Sequence, residues 1–274
     1  MEKTKVLRQN SVIKSRTWGE MKKDYFSEKV FAMGIILLIV GSCIIPSTAR
    51  KIPTPSLSSL RDSWFYVGGS GSGNYLSIQD AINASFDNDT VFVYDDSSPY
   101  NESIVVNKSI RLLGENKNTT IIVGVIGRDV VYVYDYGVTI SEFSLQYHCT
   151  YPSSDIMILT NQTYISQMIM TRTSNWFGIS LHSFCDAGIY DNRISNKVVG
   201  ISLRVFSNNN SIIENTLTNN YYNIEVLSSL CNHVYYNNYV NNIINAVDKG
   251  SSTCNDTYLS AGNYWDGYTV INEH

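Results

Sequence analysis

Four stretches of the chain repeat one another. GISLHSFCDAGIYDNRISN starts at Gly178, GISLRVFSNNNSIIENTLTNN at Gly200, NIEVLSSLCNHVYYNNYVNN at Asn223 and NAVDKGSST at Asn245. The starts are separated by 22, 23 and 22 residues. Fainter units begin near Ser154 and Asp129, with spacing closer to 25. A unit of this length is too short for a strand, crossover helix and second strand. Its β-branched runs are three to five residues long, so one unit cannot bury an apolar face by itself and neighbours must stack.

One coil per unit gives parallel strands ~4.8 Å apart. Ile179, Ile201, Ile224 and Ala246 then form one interior column, and Leu181, Leu203 and Val226 a second that ends on Asp248. Ile194, Leu217 and Tyr239 form a third. The expected fold is all-β, a single-stranded parallel β-helix.

The chain holds 28 asparagines, and the repeats place them at fixed offsets. Asparagine tolerates the left-handed and bridge conformations of tight corners, and identical amides one coil apart can bond in ladders. The spacing predicts two ladders, Asn192, Asn215 and Asn237, and Asn196, Asn219 and Asn241.

Residues 64–107 read as an N-terminal cap to a β-helix domain spanning 64–274. LSIQDAINAS (76–85) is a short helix with Ser77 as N-cap, Asp80 as its return partner, and Ile78, Ala81 and Ile82 on one face. It is placed to cover the open end of the coil, where unpaired backbone groups invite association. The runs at 90–94, 103–106, 109–114 and 119–124 follow as strands.

Charge divides the chain. Residues 1–49 carry eight Lys/Arg against four Asp/Glu, and the remainder twelve against twenty. A basic leader (1–29) precedes an uncharged run, VFAMGIILLIVGSCIIPSTA (30–49), which reads as a signal peptide or a transmembrane anchor. Residues 50–63 are a linker. The expected location is therefore secreted or cell-surface. Eight sequons, at Asn83, Asn88, Asn101, Asn107, Asn118, Asn161, Asn209 and Asn255, are candidate glycosylation sites of an exported protein. Basic residues are too sparse in the repeats for nucleic-acid binding.

Chemistry is thin. Asp191, Arg193 and Glu214 are the catalytic candidates: Asp191 and Glu214 fall in register and would stack outside the coil, where repulsion can raise a carboxyl pKa. Asp186, Arg172 and Glu225 are further charged positions without a repeated carboxylate cluster, which calcium would need. The histidines do not share a column, so no metal site and no cofactor is expected. Tyr235, Tyr236, Tyr264 and Trp265 crowd the C-terminal coils and are candidate glycan platforms. Cys231 and Cys254 lie one repeat apart, within disulfide reach on adjacent coils. Cys149 and Cys185 are the other cysteines beyond the leader.

The stretches YLSIQDAINASFDNDTVFVY and NESIVVNKSIRLLGE, the repeats, and AGNYWDGY near the C terminus carry a family likeness. The chain resembles the right-handed parallel β-helix repeat proteins of the pectin-lyase-like superfamily, closest to the NosD-like surface or periplasmic group widespread in archaea. The resemblance implies a right-handed coil, which the general preference for right-handed parallel connections supports. That superfamily includes polysaccharide lyases and hydrolases, carbohydrate-binding surface proteins and a periplasmic factor implicated in copper-site maturation, and fold alone does not choose among them. The reading favoured by the residues is an exported structural, adhesive or carbohydrate-binding module, with a surface polysaccharide or envelope protein as partner. A polysaccharide lyase or glycoside hydrolase is the alternative.

Overall fold

The computed structural model describes residues 62–147, 153–171, 176–182, 186–248 and 263–265. The chain winds as a right-handed parallel β-solenoid whose walls, among the described residues, are three sheets of eight, eight and seven strands. The first sheet runs from Trp64–Val67 to His233–Tyr235, the second from Tyr100–Asn101 to Tyr264–Trp265, and the third from Ile104–Val106 to Ile244–Asp248. A typical coil visits the third, first and second sheets in turn, as in Phe177–His182, Gly188–Tyr190 and Arg193–Ser195. All strand pairings are parallel, and the next coil repeats the register: Ile179 pairs with Ile201, which pairs with Ile224.

The register builds the apolar interior. Ile156, Ile179, Ile201 and Ile224 stack in one column, Ile158, Leu181, Leu203 and Val226 in the next, and Met170, Ile194, Leu217 and Tyr239 on the second sheet. All are buried. The column through Leu203 ends on Asp248, and that through Ile201 on Ala246, so apolar filling thins at the last coil.

Each corner has its own chemistry. Between the first and second sheets, Glu142, Gln167, Asp191, Glu214 and Tyr236 take left-handed backbone, with φ from 48° to 65°. Asn192, Asn215 and Asn237 follow the last three and are buried. The Asn192 N–H and Nδ2 donate to Asn215 Oδ1, those of Asn215 to Asn237 Oδ1, and those of Asn237 to Asn263 Oδ1. Between the second and third sheets, Asn196, Asn219 and Asn241 instead supply the left-handed turn. There the stacked amides lie one residue on: Asn220 Oδ1 accepts the Lys197 N–H, and Asn242 Oδ1 accepts the Asn220 N–H. The spacing had placed this ladder at 196, 219 and 241. The turn consumes those residues, and only the residue after the turn points its amide inward. A third ladder, Asn210 on Asn232, occupies the remaining corner.

The helix spans Ile78–Ala84, with Ile78, Ala81 and Ile82 buried. Ser77 Oγ accepts the Asp80 N–H. The Ile78 and Gln79 N–H groups donate to the Glu102 carboxylate, an anion at the positive end of the helix. Lys108 Nζ donates to the carbonyls of Ile82, Asn83 and Ser85 at the other end. Gln79 accepts the Val105 N–H and donates to the Val105 carbonyl, so one side-chain amide takes the place of a strand beside the first strand of the third sheet.

The leader 1–29, the apolar run 30–49 and residues 50–61 of the linker lie outside the described residues. Among the described residues no helix is long and apolar enough to cross a membrane. The helix Ile78–Ala84 has seven residues, where a span needs about twenty. The expectation of a membrane span is corrected to that extent: no described helix provides one, and the run 30–49 on which it rests lies outside the described residues.

Candidate functional site

The outer face of the third sheet gathers a polar cluster. Strand alternation points Ile179, Leu181, Ile201, Leu203, Ile224 and Val226 inward. Ser180, His182, Ser202, Arg204 and Glu225 therefore lie on the opposite face of the sheet, with Ser180, Ser202 and Glu225 in line and His182 beside Arg204. Ser180, Ser202 and Glu225 are nonetheless buried, and His182 and Arg204 half-buried. Arg204 Nε donates to Ser202 Oγ at 2.9 Å, and its Nη2 meets Glu225 Oε2 at 2.8 Å. Ser202 Oγ also donates to Glu225 Oε2. The guanidinium lies 4.7 Å from the centre of the Phe177 ring, a cation–π contact. His182 Nε2 is 3.0 Å from Ser180 Oγ.

Burial, and next the Arg204 charge, lower the His182 pKa from its ordinary 6.5. The unfolded chain then takes up a proton below about pH 6.5 that the folded chain refuses, so His182 withdraws stability as pH falls through that value. We expect His182→Gln to lose less stability than the native chain between pH 7.5 and 5.5. Equal shifts of the urea midpoint in the two proteins would refute this.

An apolar ridge borders the cluster. Phe177, Val199, Tyr222 and Ile244 stack in register at the start of successive strands. The residue before each, Trp176, Val198, Tyr221 and Ile243, sits on the corner and is between 38% and 69% exposed. Tyr221 and Tyr222 meet edge to face at 4.7 Å. Burial, followed by its Tyr221 neighbour, raises the Tyr222 pKa, which keeps the phenol neutral. The sequence carries the signal as a repeated apolar pair, WF, VV, YY and II, at the head of four strands.

The sequence candidates lie elsewhere. Asp191 and Glu214 are exposed on the left-handed corner between the first and second sheets, and Asp191 meets Lys117 at 3.8 Å. Arg193 is exposed on the second sheet, between Ile169 and Thr216. Tyr235 stands on the first sheet, 5.2 Å from Tyr236 on the corner, and Tyr264 begins a strand of the second sheet. Tyr236 and Tyr264 are each about 60% exposed. Trp265 pairs with Tyr239, and its side chain lies outside the described residues. Among the described residues no group of three His, Cys, Asp or Glu could hold a metal ion.

No protein-family model matches the chain, and no curated protein matches it. Among solved structures, ORF18 of Geobacillus virus E2 is similar over 59% of this chain and 46% of its own length, with 15% identity and a TM-score of 0.34. The chain thus spans just under half of that viral protein, and a likeness at this level carries no argument about function.

Cys231 is disulfide-bonded. Cys149, Cys185 and Cys254 lie outside the described residues, and so does the expected pairing with Cys254. Asn83, Asn88, Asn101, Asn107, Asn118, Asn161 and Asn209 are all exposed, and Asn255 lies outside the described residues.

Proposed function

We propose that the chain is an exported, cell-surface β-solenoid that binds an extracellular polysaccharide along the outer face of its third sheet without cleaving it. The observation that carries this reading is the ridge of Trp176, Val198, Tyr221 and Ile243 beside the Arg204–Glu225 pair. Indole and phenol rings offer apolar faces to the C–H faces of pyranose rings and keep a polar tip for their hydroxyls. Trp176 and Tyr221 stand two coils apart, ~9.6 Å along the axis. That is close to the disaccharide repeat of an extended β-linked glycan. Arg204 adds oriented donors. Its hold on Glu225, together with the Ser202 bond, favours a positioning role for that carboxylate over general-base work.

This reading agrees with the acidic, sequon-rich composition of the chain after its basic leader. It also agrees with the sequence resemblance to the NosD-like parallel β-helix proteins of the pectin-lyase-like superfamily. Affinity electrophoresis of the purified chain in gels containing neutral and acidic polysaccharides, with and without calcium, tests it. Retardation by one polysaccharide, weakened about fivefold by Tyr221→Ala, is expected; one ring stack contributes about 1 kcal/mol. Retardation that Tyr221→Ala leaves unchanged would refute the site. New reducing ends or unsaturated products would establish the lyase or hydrolase alternative.

A further inference from the structure

A second aromatic surface lies at the other end of the solenoid, on a different sheet. Val67, Val91 and Val93 point into the core, and the alternation turns Trp64, Tyr66 and Phe92 outward on the first two strands of the first sheet. Trp64 is 49% exposed and Tyr66 38%. Their rings lie 6.2 Å apart and 26° from parallel, and Tyr94 continues the row at 6.0 Å and 24° from Tyr66. Phe92 stands on the same face, edge-on to Tyr66 and to Tyr94, 5.1 Å from the latter. The three rings thus form a shallow patch that bends at Tyr66 around Phe92, which lies 6.2 Å from both Trp64 and Tyr66, so the patch spans about two strand spacings.

The row is held in place. The Tyr94 N–H donates to the Val67 carbonyl, and the Tyr75 N–H donates to the Tyr66 carbonyl. Gly69 has φ +71°, and a Cβ there would come within 2.8 Å of Tyr94 Cδ2. The glycine backbone therefore lies directly against the ring, and the Gly69 N–H is itself held by Asp96 Oδ1. Such fixed rings lose little conformational freedom on binding.

The surrounding charge selects the ligand. Asp95, Asp96 and Glu115 lie around the Tyr94 end: the Glu115 carboxylate accepts the Asp95 N–H, and Asp96 closes on Gly69. At the Trp64 end, Asp62 pairs with Arg111 at 3.4 Å. Carboxylates outnumber the one guanidinium, so a polyuronate or sulfated glycan is repelled. The exposed contact residues are rings with polar tips, which suit a hydroxyl-rich ligand better than an aliphatic protein surface. We infer that Trp64, Tyr66 and Tyr94 form a stacking site for a neutral glycan, separate from the third-sheet face.

Titration of the full chain with cellohexaose, mannohexaose and hexagalacturonate tests the inference, read by tryptophan emission and calorimetry. One neutral hexaose is expected to bind, and hexagalacturonate to bind at least tenfold more weakly. Trp64→Ala should weaken that binding at least tenfold with an unchanged thermal transition, whereas Trp64→Phe should retain most of it. Tyr221→Ala should leave it unaltered, which separates this site from the third-sheet face. Failure of both neutral probes, preference for hexagalacturonate, or full binding by Trp64→Ala would each overturn the inference. Loss through Tyr221→Ala alone would overturn it while leaving the third-sheet reading intact.

Discussion

Lys197→Met is expected to destabilise the folded chain by about 3–5 kcal/mol, measured by urea denaturation at pH 7. The Lys197 ammonium meets the Asp155 carboxylate at 2.7 Å, and both side chains are sealed from water, at 1% and 0% exposure. Lys197 precedes the strand Val199–Arg204, and Asp155 is the second residue of the strand Ser154–Ile158 two coils away, so the pair spans an intervening coil. The aligned residue in that coil is Gly178. A Cβ there would fall 2.6 Å from both the Gly200 carbonyl oxygen and Ile194 Cγ2, so this corner admits no side chain from the middle coil.

Removing the ammonium leaves a carboxylate buried without its cation, which is the costly outcome. The pair itself need not contribute net stability, because desolvating both ions offsets most of their attraction. Lys197→Met combined with Asp155→Leu should therefore recover most of the loss. A single-variant cost below about 1 kcal/mol, the range of an exposed pair, would show that water reaches the site. A double variant no more stable than the single would show that the ion pair sets the path of the corner.

The contrast between Lys197 and its repeat partners explains what could be read from the chain. The repeat of GISL at Gly178 and Gly200, continued through Asn223 and Asn245, sets coil length and register, and hence the interior columns. A period-two strand leaves no latitude once one residue of a column is placed. Corners are less legible. Asn219 and Asn220 are chemically the same, yet one takes φ 54° and faces solvent while the other is buried and bonds the next coil. Composition cannot separate a turn residue from a ladder residue one step away. Lys197 occupies the ladder position in its own coil, and only three-dimensional proximity shows its partner 42 residues earlier.

The outer faces are harder still. Arg204 directly follows the repeated GISL run at the end of its strand, where its partners in register are His182 and Leu227, and Glu225 interrupts an apolar run. Their meeting depends on the register of two strands and on the small side chain of Ser202 between them. The aromatic row at Trp64, Tyr66 and Tyr94 precedes the clear repeats, so no periodicity marks it. The rings near the C terminus cluster in sequence, whereas the Trp64 row clusters across two strands.

Asn215→Ala is expected to cost about 3–5 kcal/mol, far more than its neighbour four residues on. Asn215 Oδ1 accepts the Asn192 N–H and the Asn192 Nδ2, and Asn215 Nδ2 donates to the Ile189 and Ile213 carbonyls and to Asn237 Oδ1. Truncation leaves the Asn192 N–H and the Ile189 carbonyl buried and without this partner. Each such group costs about 1–3 kcal/mol. Water cannot easily replace the amide, because Asn192, Asn215 and Asn237 are all within 1% of complete burial. Asn215→Asp keeps an acceptor for Asn192 but loses both donors and buries a charge, so it should be at least as damaging near neutral pH. At Asn219 the side chain faces solvent and the backbone holds a left-handed turn. Glycine adopts that conformation freely, so Asn219→Gly should shift the urea midpoint little, by less than about 1 kcal/mol. Hydrogen exchange gives the ladder a residue-level test: in Asn215→Ala the Asn192 amide should lose protection ahead of the core strand Val199–Arg204. If Asn219→Gly proves as costly as Asn215→Ala, the corners owe their stability to backbone conformation and the stacked amides are incidental to it.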